Sequence, residues 1–262
     1  MPAKSTSNKK DENDLSSFLP VPGERVLSIG FTGTGKTTAN RELLKGLPYS
    51  PTVIYDTKHD AKFEELPNHR IAYSMLEAED ALGDLGVDYV IIRPPPALTS
   101  SPDALDRMLQ HHEEQWHEVT AYIDEMYHFH KHGHAGPGLN GLYTRGRSRG
   151  ITTIASTQRP AWVSGFIFSE TNLFYLFGLN RKSDRKRVDD FIDGFADLPV
   201  PDLHHFYVYR QGPNEKPRLM PPVKVADAHK LGYTDTVKVN DVAESDTAPV
   251  EERPTKAPHI WI

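Results

Sequence analysis

The sequence contains no cysteine. That excludes a disulfide framework, a thiolate zinc site and a cysteine nucleophile, and it fits a reducing compartment. Long apolar runs are also missing. No stretch approaches the roughly 20 apolar residues that cross a bilayer, and the start, MPAKSTSNKKDEND, has no apolar signal core, so no transmembrane segment or export is expected. A basic excess is lacking too: the formal net charge is -6. A surface that coats nucleic acid indiscriminately is thereby excluded, and any nucleic-acid contact must come from a local basic patch or from the inside of an oligomer.

What is present suffices for one core. Apolar residues make up 37% of the 262 residues, enough for a single domain with tails. Residues 1–22 are polar, mixed in charge and contain Pro20 and Pro22, which reads as a disordered tail. Residues 232–262 read as a second flexible tail, with an apolar tip at His259 to Ile262 that either tucks against its own domain or docks a partner. The domain expected between them spans 23–231. Six short apolar runs in it read as buried strands: Arg25 to Gly30, Thr52 to Asp56, Tyr89 to Arg93, Ala121 to Asp124, Thr152 to Thr157 and Leu173 to Leu179. Helical segments at Lys36 to Lys45, Ser101 to Glu118 and Asp184 to Phe195 lie between them. Continuous apolarity requires cover on both faces, so the expected fold is α/β, a mainly parallel central sheet with helices on both faces.

The first strand runs into Gly30-Phe31-Thr32-Gly33-Thr34-Gly35-Lys36-Thr37, which satisfies the phosphate-loop pattern GxxxxGK followed by Ser or Thr, with a helix after it. Gly30, Gly33 and Gly35 let backbone amides of the loop, including Thr32 and Thr34, close around phosphate oxygens. Lys36 neutralises the outer phosphates and Thr37 offers a hydroxyl to Mg2+, while Thr38 completes the Lys-Thr-Thr opening of a helix whose N-terminus favours an anion. A second strand, Thr120 to Ile123, delivers Asp124 and Glu125 at its end. Asp124 is the expected Mg2+ ligand and Glu125 the residue that polarises the attacking water. A third, Thr152 to Thr157, leads to Gln158, whose amide can donate to a phosphate and accept from water. Just upstream, Arg145, Arg147 and Arg149 alternate around Gly146; one of them could reach a neighbouring subunit's phosphates, or the turn could be a solvated basic one. The bound cofactors expected from these residues are ATP and Mg2+.

Four motifs in order carry a resemblance: FTGTGKTT from Phe31, VIYDTK from Val53 to Lys58, YIDE from Tyr122 to Glu125, and GRSRGITTIASTQRP from Gly146 to Pro160. Together they resemble the FtsK/HerA superfamily of P-loop ATPases, most of all the genome-packaging ATPases of tailless, membrane-containing icosahedral viruses. The resemblance covers Glu24 to Phe195. It implies a RecA-like P-loop NTPase fold, with Arg147 as the arginine finger and Asp56 and Lys58 either part of the site or a plain strand-end turn. It further implies ATP-driven translocation of double-stranded DNA by a homo-oligomeric ring, expected to be hexameric. Docking on capsid-vertex or viral membrane proteins, in the host cytoplasm or at the packaging vertex of the virion, follows from the same resemblance. The membrane region and winged helix of cellular FtsK-type proteins and the barrel of HerA-type proteins are not expected in a chain of this length.

Pore loops in that family follow the acidic strand, where this chain has His128-Phe129-His130-Lys131-His132-Gly133-His134. A mobile loop touching DNA phosphates, a plain surface loop, and a zinc or nickel site from alternate histidines are the readings of that segment. The pairs His111-His112 and His204-His205 read as incidental. Rival functions are a filamentous-phage-type assembly or extrusion ATPase, a small-molecule kinase, and a nonmotor ATP switch.

Overall fold

A computed structural model of the protein describes residues 19–47, 51–131 and 133–223. In chain order the strands and helices are β1 (Arg25–Ile29), α1 (Lys36–Gly46), β2 (Thr52–Tyr55), β3 (His69–Ala72), α2 (Met75–Leu82), β4 (Tyr89–Ile92), α3 (Pro96–Thr99), α4 (Pro102–Gln115) and β5 (Thr120–Ile123). There follow β6 (His130–Lys131), β7 (His134–Ala135), α5 (Pro137–Thr144), β8 (Thr152–Thr157), α6 (Gly165–Glu170), β9 (Leu173–Leu176), α7 (Lys182–Asp189), β10 (Phe206–Arg210) and β11 (Arg218–Met220).

The central sheet has nine strands in the order β11-β10-β9-β1-β8-β5-β2-β4-β3. From β9 to β3 every neighbouring pair is parallel, and β10 and β11 close one edge antiparallel. The expected mainly parallel sheet is therefore present. All six expected strands belong to it, most of them one to three residues shorter than their apolar runs, because the last residues turn out of the sheet into loops. Strands β3, β10 and β11 were not anticipated. Two of them are edge strands with one half-exposed or exposed side, so their sequences, HRIA and RLM, lack the continuous apolarity of the centre.

Side chains alternate between the sheet faces, and each face has its own core. Leu27, Ile29, Val53 and Tyr55 pack with Leu105 and Leu109 of α4, Leu139 and Leu142 of α5, Ile167 of α6 and Val188 of α7. Val26, Ile54 and Tyr122 point the other way, onto Leu43 and Leu44 of α1, Phe63 and Leu19. Each fully buried Leu, Ile or Val stabilises by roughly 1.5–3 kcal/mol, so two filled layers fix the sheet as the scaffold of the site. Helix α4 begins at the Ser101 cap, whose hydroxyl accepts from Ala104 N, and ends three residues before the expected Glu118. Helix α7 stops at Asp189, short of Phe195, where a separate 3-10 turn begins. Residues 1–18 of the expected N-terminal tail and all of 232–262 lie outside the described residues. Among the described residues no helix is long and apolar enough to cross a membrane.

Candidate functional site

The strand order decides the site. β8 lies between β1 and β5, so the residue after β8 stands between the phosphate loop after β1 and the acids after β5. Open parallel sheets bind ligands at this carboxyl end.

The loop from Gly30 to Thr37 leaves β1 with Gly30 N donating to Thr157 O at 3.2 Å and Phe31 N to Gly178 O at 3.0 Å, which tie it to β8 and to the second residue after β9. Gly33 and Gly35 have φ of +85° and +96°, a region that side chains disfavour. Gly30 is required for a different reason: a Cβ there would lie 2.5 Å from Phe177 Cβ. The Thr34 hydroxyl turns inward onto Phe31 O at 2.8 Å, and its backbone amide donates to the same oxygen at 3.4 Å. Thr37 and Thr38, in the first turn of α1, are half-buried.

Lys36 is buried, with Nζ donating to Phe31 O at 3.2 Å. Burial lowers its pKa from 10.5 to about 8, against the attraction of Glu125 and, more weakly, Asp124; nearby Lys58 adds to the lowering. These couplings place the lysine and the acidic pair in one electrostatic unit.

Asp124 is 2% exposed. Its Oδ1 accepts from Ser156 Oγ at 2.8 Å and from Tyr122 OH at 3.4 Å, and Tyr122 OH in turn accepts from Asn40 of α1 at 3.1 Å. Its other oxygen, Oδ2, accepts no hydrogen bond and lies 3.8 Å from Lys58 Nζ. Burial raises the Asp124 pKa, opposed by Lys58 and the Ser156 hydrogen bond. A buried, anionic oxygen without a donor suits a hard divalent cation, which takes oxygen ligands.

Glu125 is fully buried and sits in the left-handed region at φ 51°, ψ 60°, a conformation that turns its side chain from the strand end toward β8. Oε1 pairs with Lys58 Nζ and with Gln158 Nε2, and Oε2 accepts from Gln158 N at 3.2 Å. The Gln158 side-chain oxygen accepts from the Thr32 hydroxyl, so the phosphate loop, Gln158 and Glu125 form one chain of hydrogen bonds. Lys58 thus joins the site, whereas Asp56 belongs to the scaffold: it holds Arg93 at 2.9 Å and caps Asp60 N at 3.0 Å.

The three arginines lie elsewhere. Their turn precedes β8, at the end of the sheet opposite the phosphate loop, and Arg147 packs on Gly23 ahead of β1, where a Cβ would lie 3.2 Å from the Arg147 carbonyl oxygen. The five residues of β1 separate that end from the loop by roughly 17 Å. Arg145 and Arg149 both bind Glu113, and Arg147 is exposed.

The histidine segment does not form one ligand face. His128 Nδ1 meets Thr57 Oγ1 at 2.9 Å, while His130 is buried with Nδ1 on Met126 O at 3.0 Å, and His134 is exposed in the β6–β7 hairpin. Among the described residues no group of three or more His, Cys, Asp or Glu is arranged to hold a metal. His132 lies outside the described residues.

No family model matches the chain. Over 223 residues it is 29% identical to the DNA packaging ATPase P9 of Enterobacteria phage PRD1, covering 80% of this chain and 92% of the phage protein. Among solved structures, the genome packaging NTPase B204 of Sulfolobus turreted icosahedral virus 2 in complex with ATP-gammaS has a TM-score of 0.62 at 17% identity. That match covers 78% of this chain and 99% of the other. The fold is the one this packaging NTPase structure shows, a mainly parallel central sheet with helices on both faces. The same fold matches VirB4 of Thermoanaerobacter pseudethanolicus at a TM-score of 0.55 and 10% identity, over 78% of this chain and 90% of the other.

Within this fold the structure brings Lys36, Asp124, Glu125, Gln158 and Thr32 together and leaves Arg147 apart. It adds Ser156 and Tyr122, which hold Asp124, and Thr57, which donates to Asp124 O at 3.3 Å. Ser156 and Tyr122 have a strand-alternation signal in the sequence, since each stands two residues before a site residue. His204 packs beside the phosphate loop: its Nδ1 fills the space where a Gly35 Cβ would stand, 2.3 Å away.

Proposed function

We propose that this chain is an ATP-hydrolysing motor that moves double-stranded DNA into a preformed viral capsid. The observation that carries it is the continuous network from the phosphate loop through Gln158 to Glu125, on a chain aligned with 92% of a DNA packaging ATPase.

Amides of Thr32 to Gly35 and the α1 N-terminus bind the phosphates, and Lys36 sets a positive charge against them. Thr37 and Asp124 would hold Mg2+, which would supply positive charge against the phosphates. Glu125 takes the proton of the water whose oxygen attacks the terminal phosphorus, as the bond to the bridging oxygen breaks and ADP leaves with its electrons. Gln158, bonded to both Thr32 and Glu125, orients that water and senses the terminal phosphate. Lys58 fixes the Glu125 carboxylate from the far side.

Arg147 lies at the wrong end of the sheet to serve its own site, which supports service to a neighbour's. A homo-oligomeric ring, hexameric in this reading, would carry each ATP between two subunits. The proposed motor domain spans 23–231 together with Leu19, which packs in its core and so shortens the expected tail of 1–22; 232–262 is the other proposed tail, and the motor works in the host cell at the capsid vertex, docked on capsid or viral membrane proteins. The hairpin with Lys131 would face the DNA phosphates.

ATP turnover by the full chain, with and without double-stranded DNA, tests the proposal beside Lys36→Ala and Glu125→Gln. DNA-stimulated hydrolysis lost in both variants is expected. Phosphate transfer to an added nucleoside in place of water would replace the motor with a kinase.

A further inference from the structure

Helix α4 carries two buried carboxylates one heptad apart, Asp106 and Glu113, on the side that meets α5. Each holds one end of α5. At the start, Asp106 Oδ2 and Oδ1 accept from Gly138 N at 3.0 Å and Leu139 N at 2.9 Å, satisfying two amides that no helix turn can. At the finish, Glu113 Oε2 takes Arg145 at 2.8 Å and Oε1 takes Arg149 at 3.3 Å; Arg149 also donates to the Glu113 backbone carbonyl. Glycines make the approach possible. A Cβ at Gly138 would lie 2.4 Å from Asp106 O, and one at Gly141 would lie 2.6 Å from Glu113 Oε2.

The clamp brackets one further arginine. Between the two held arginines, Arg147 is exposed, and among the described residues its side chain makes no hydrogen bond or ion pair. Its turn is closed by Gly150 N on Arg147 O at 3.1 Å and by Ile151 N on Gly146 O at 2.9 Å, with Gly150 at φ +70°. Three guanidiniums within five residues repel one another, and the two oxygens of a single buried carboxylate each hold one of the outer two. The middle one is thereby left unpaired and pointed outward on a fixed base.

We propose that Glu113 is a positioning residue: it anchors Arg145 and Arg149 so that Arg147 is presented, preorganised, to the phosphates bound by the neighbouring subunit. Arg145 and Arg149 are then structural arms, and the finger is Arg147 alone. This rests on the reading of Arg147 as a finger that acts between subunits, and the test separates the two.

Glu113→Gln keeps the side-chain size and removes the charge. Misplacement of a catalytic group by about 1 Å costs on the order of 100-fold, so kcat should fall roughly 10–100-fold with the KM for ATP little changed. Mixing supplies the readout that a general structural defect would not move. Glu113→Gln subunits mixed with Lys36→Ala subunits, which cannot bind phosphate but keep a clamped finger, should regain turnover; mixed with Arg147→Ala subunits they should not. Arg149→Met serves if Glu113→Gln fails to fold, because Glu113 stays paired with Arg145; it should show a smaller kcat loss rescued by the same mixing. A wild-type kcat in Glu113→Gln or Arg149→Met, with Arg147→Ala inactive, overturns the clamp and leaves the finger standing. A wild-type rate in Arg147→Ala overturns the finger, and the clamp with it.

Discussion

Raising the pH through the Lys36 titration should weaken ATP binding in a way this fold makes quantitative. Burial brings the lysine from 10.5 down to about 8 in the nucleotide-free protein. Bound phosphates restore the charge, so binding above that pH requires proton uptake. At pH 8.5 only about a quarter of free Lys36 is charged, and each nucleotide should therefore take up about three-quarters of a proton. Above pH 8 the affinity should fall about tenfold, or about 1.4 kcal/mol, per unit. The nucleotide is not the source, since a phosphate with a second pKa of about 6 is essentially fully ionised above pH 8. Calorimetric titration in two buffers of different ionisation enthalpy measures the uptake directly. Lys36→Arg is the control, because a guanidinium stays charged throughout this range and its binding should be flat with pH, whatever its absolute affinity. Uptake near zero at pH 8.5, or an equal slope in Lys36→Arg, would refute the assignment of a desolvated, titrating lysine. The stability of the free protein should move the opposite way. The unfolded chain holds this proton between pH 8 and 10.5 and the folded one does not, so the Lys36 contribution to stability rises across that window by about 3 kcal/mol.

Gly35→Ala forces a Cβ into a φ of +96° and onto His204, and should cost roughly 1–3 kcal/mol in denaturant unfolding; adding His204→Ala should recover the steric part only, and full recovery would show that the backbone is unstrained. Gln158→Ala breaks the bridge between Thr32 and Glu125, with an expected kcat loss of roughly 100-fold and a KM that stays close to wild type; steady-state kinetics in which only KM changes would remove the water-orienting role. His112, buried against Trp116 with its Nδ1 on Tyr55 OH, has its pKa lowered to about 4 by burial and by His111. The unfolded chain binds its proton first, so stability should fall as pH drops from 6.5 to 4, and His112→Gln should flatten that limb in denaturation curves across pH.

Much of the site is written locally. The phosphate loop is a run of adjacent residues with its own strand and helix, and the acids sit at a strand end where polarity breaks a buried apolar run. Gln158 is visible for the same reason. Strands β3 and β11 were less legible because an edge strand is half solvated, and β10 because its FYVYR alternates into partial exposure. The end of α7 was misjudged because its apolar spacing continues through Phe191 and Ile192 into a turn that packs on the core without being helical.

By itself the sequence determined the chemistry on offer: a phosphate loop, two carboxylates, an amide and a basic turn, each specified by neighbours in the chain. Only the tertiary structure decided which of these meet. Inserting β8 between β1 and β5 makes Gln158 a bridge, which no spacing along the chain encodes, because strand order is settled by how the two apolar layers close over the sheet. The same packing buries Glu113 beneath the arginine turn and separates Arg147 from its flanking arginines, a distinction that three near-identical residues in sequence cannot carry.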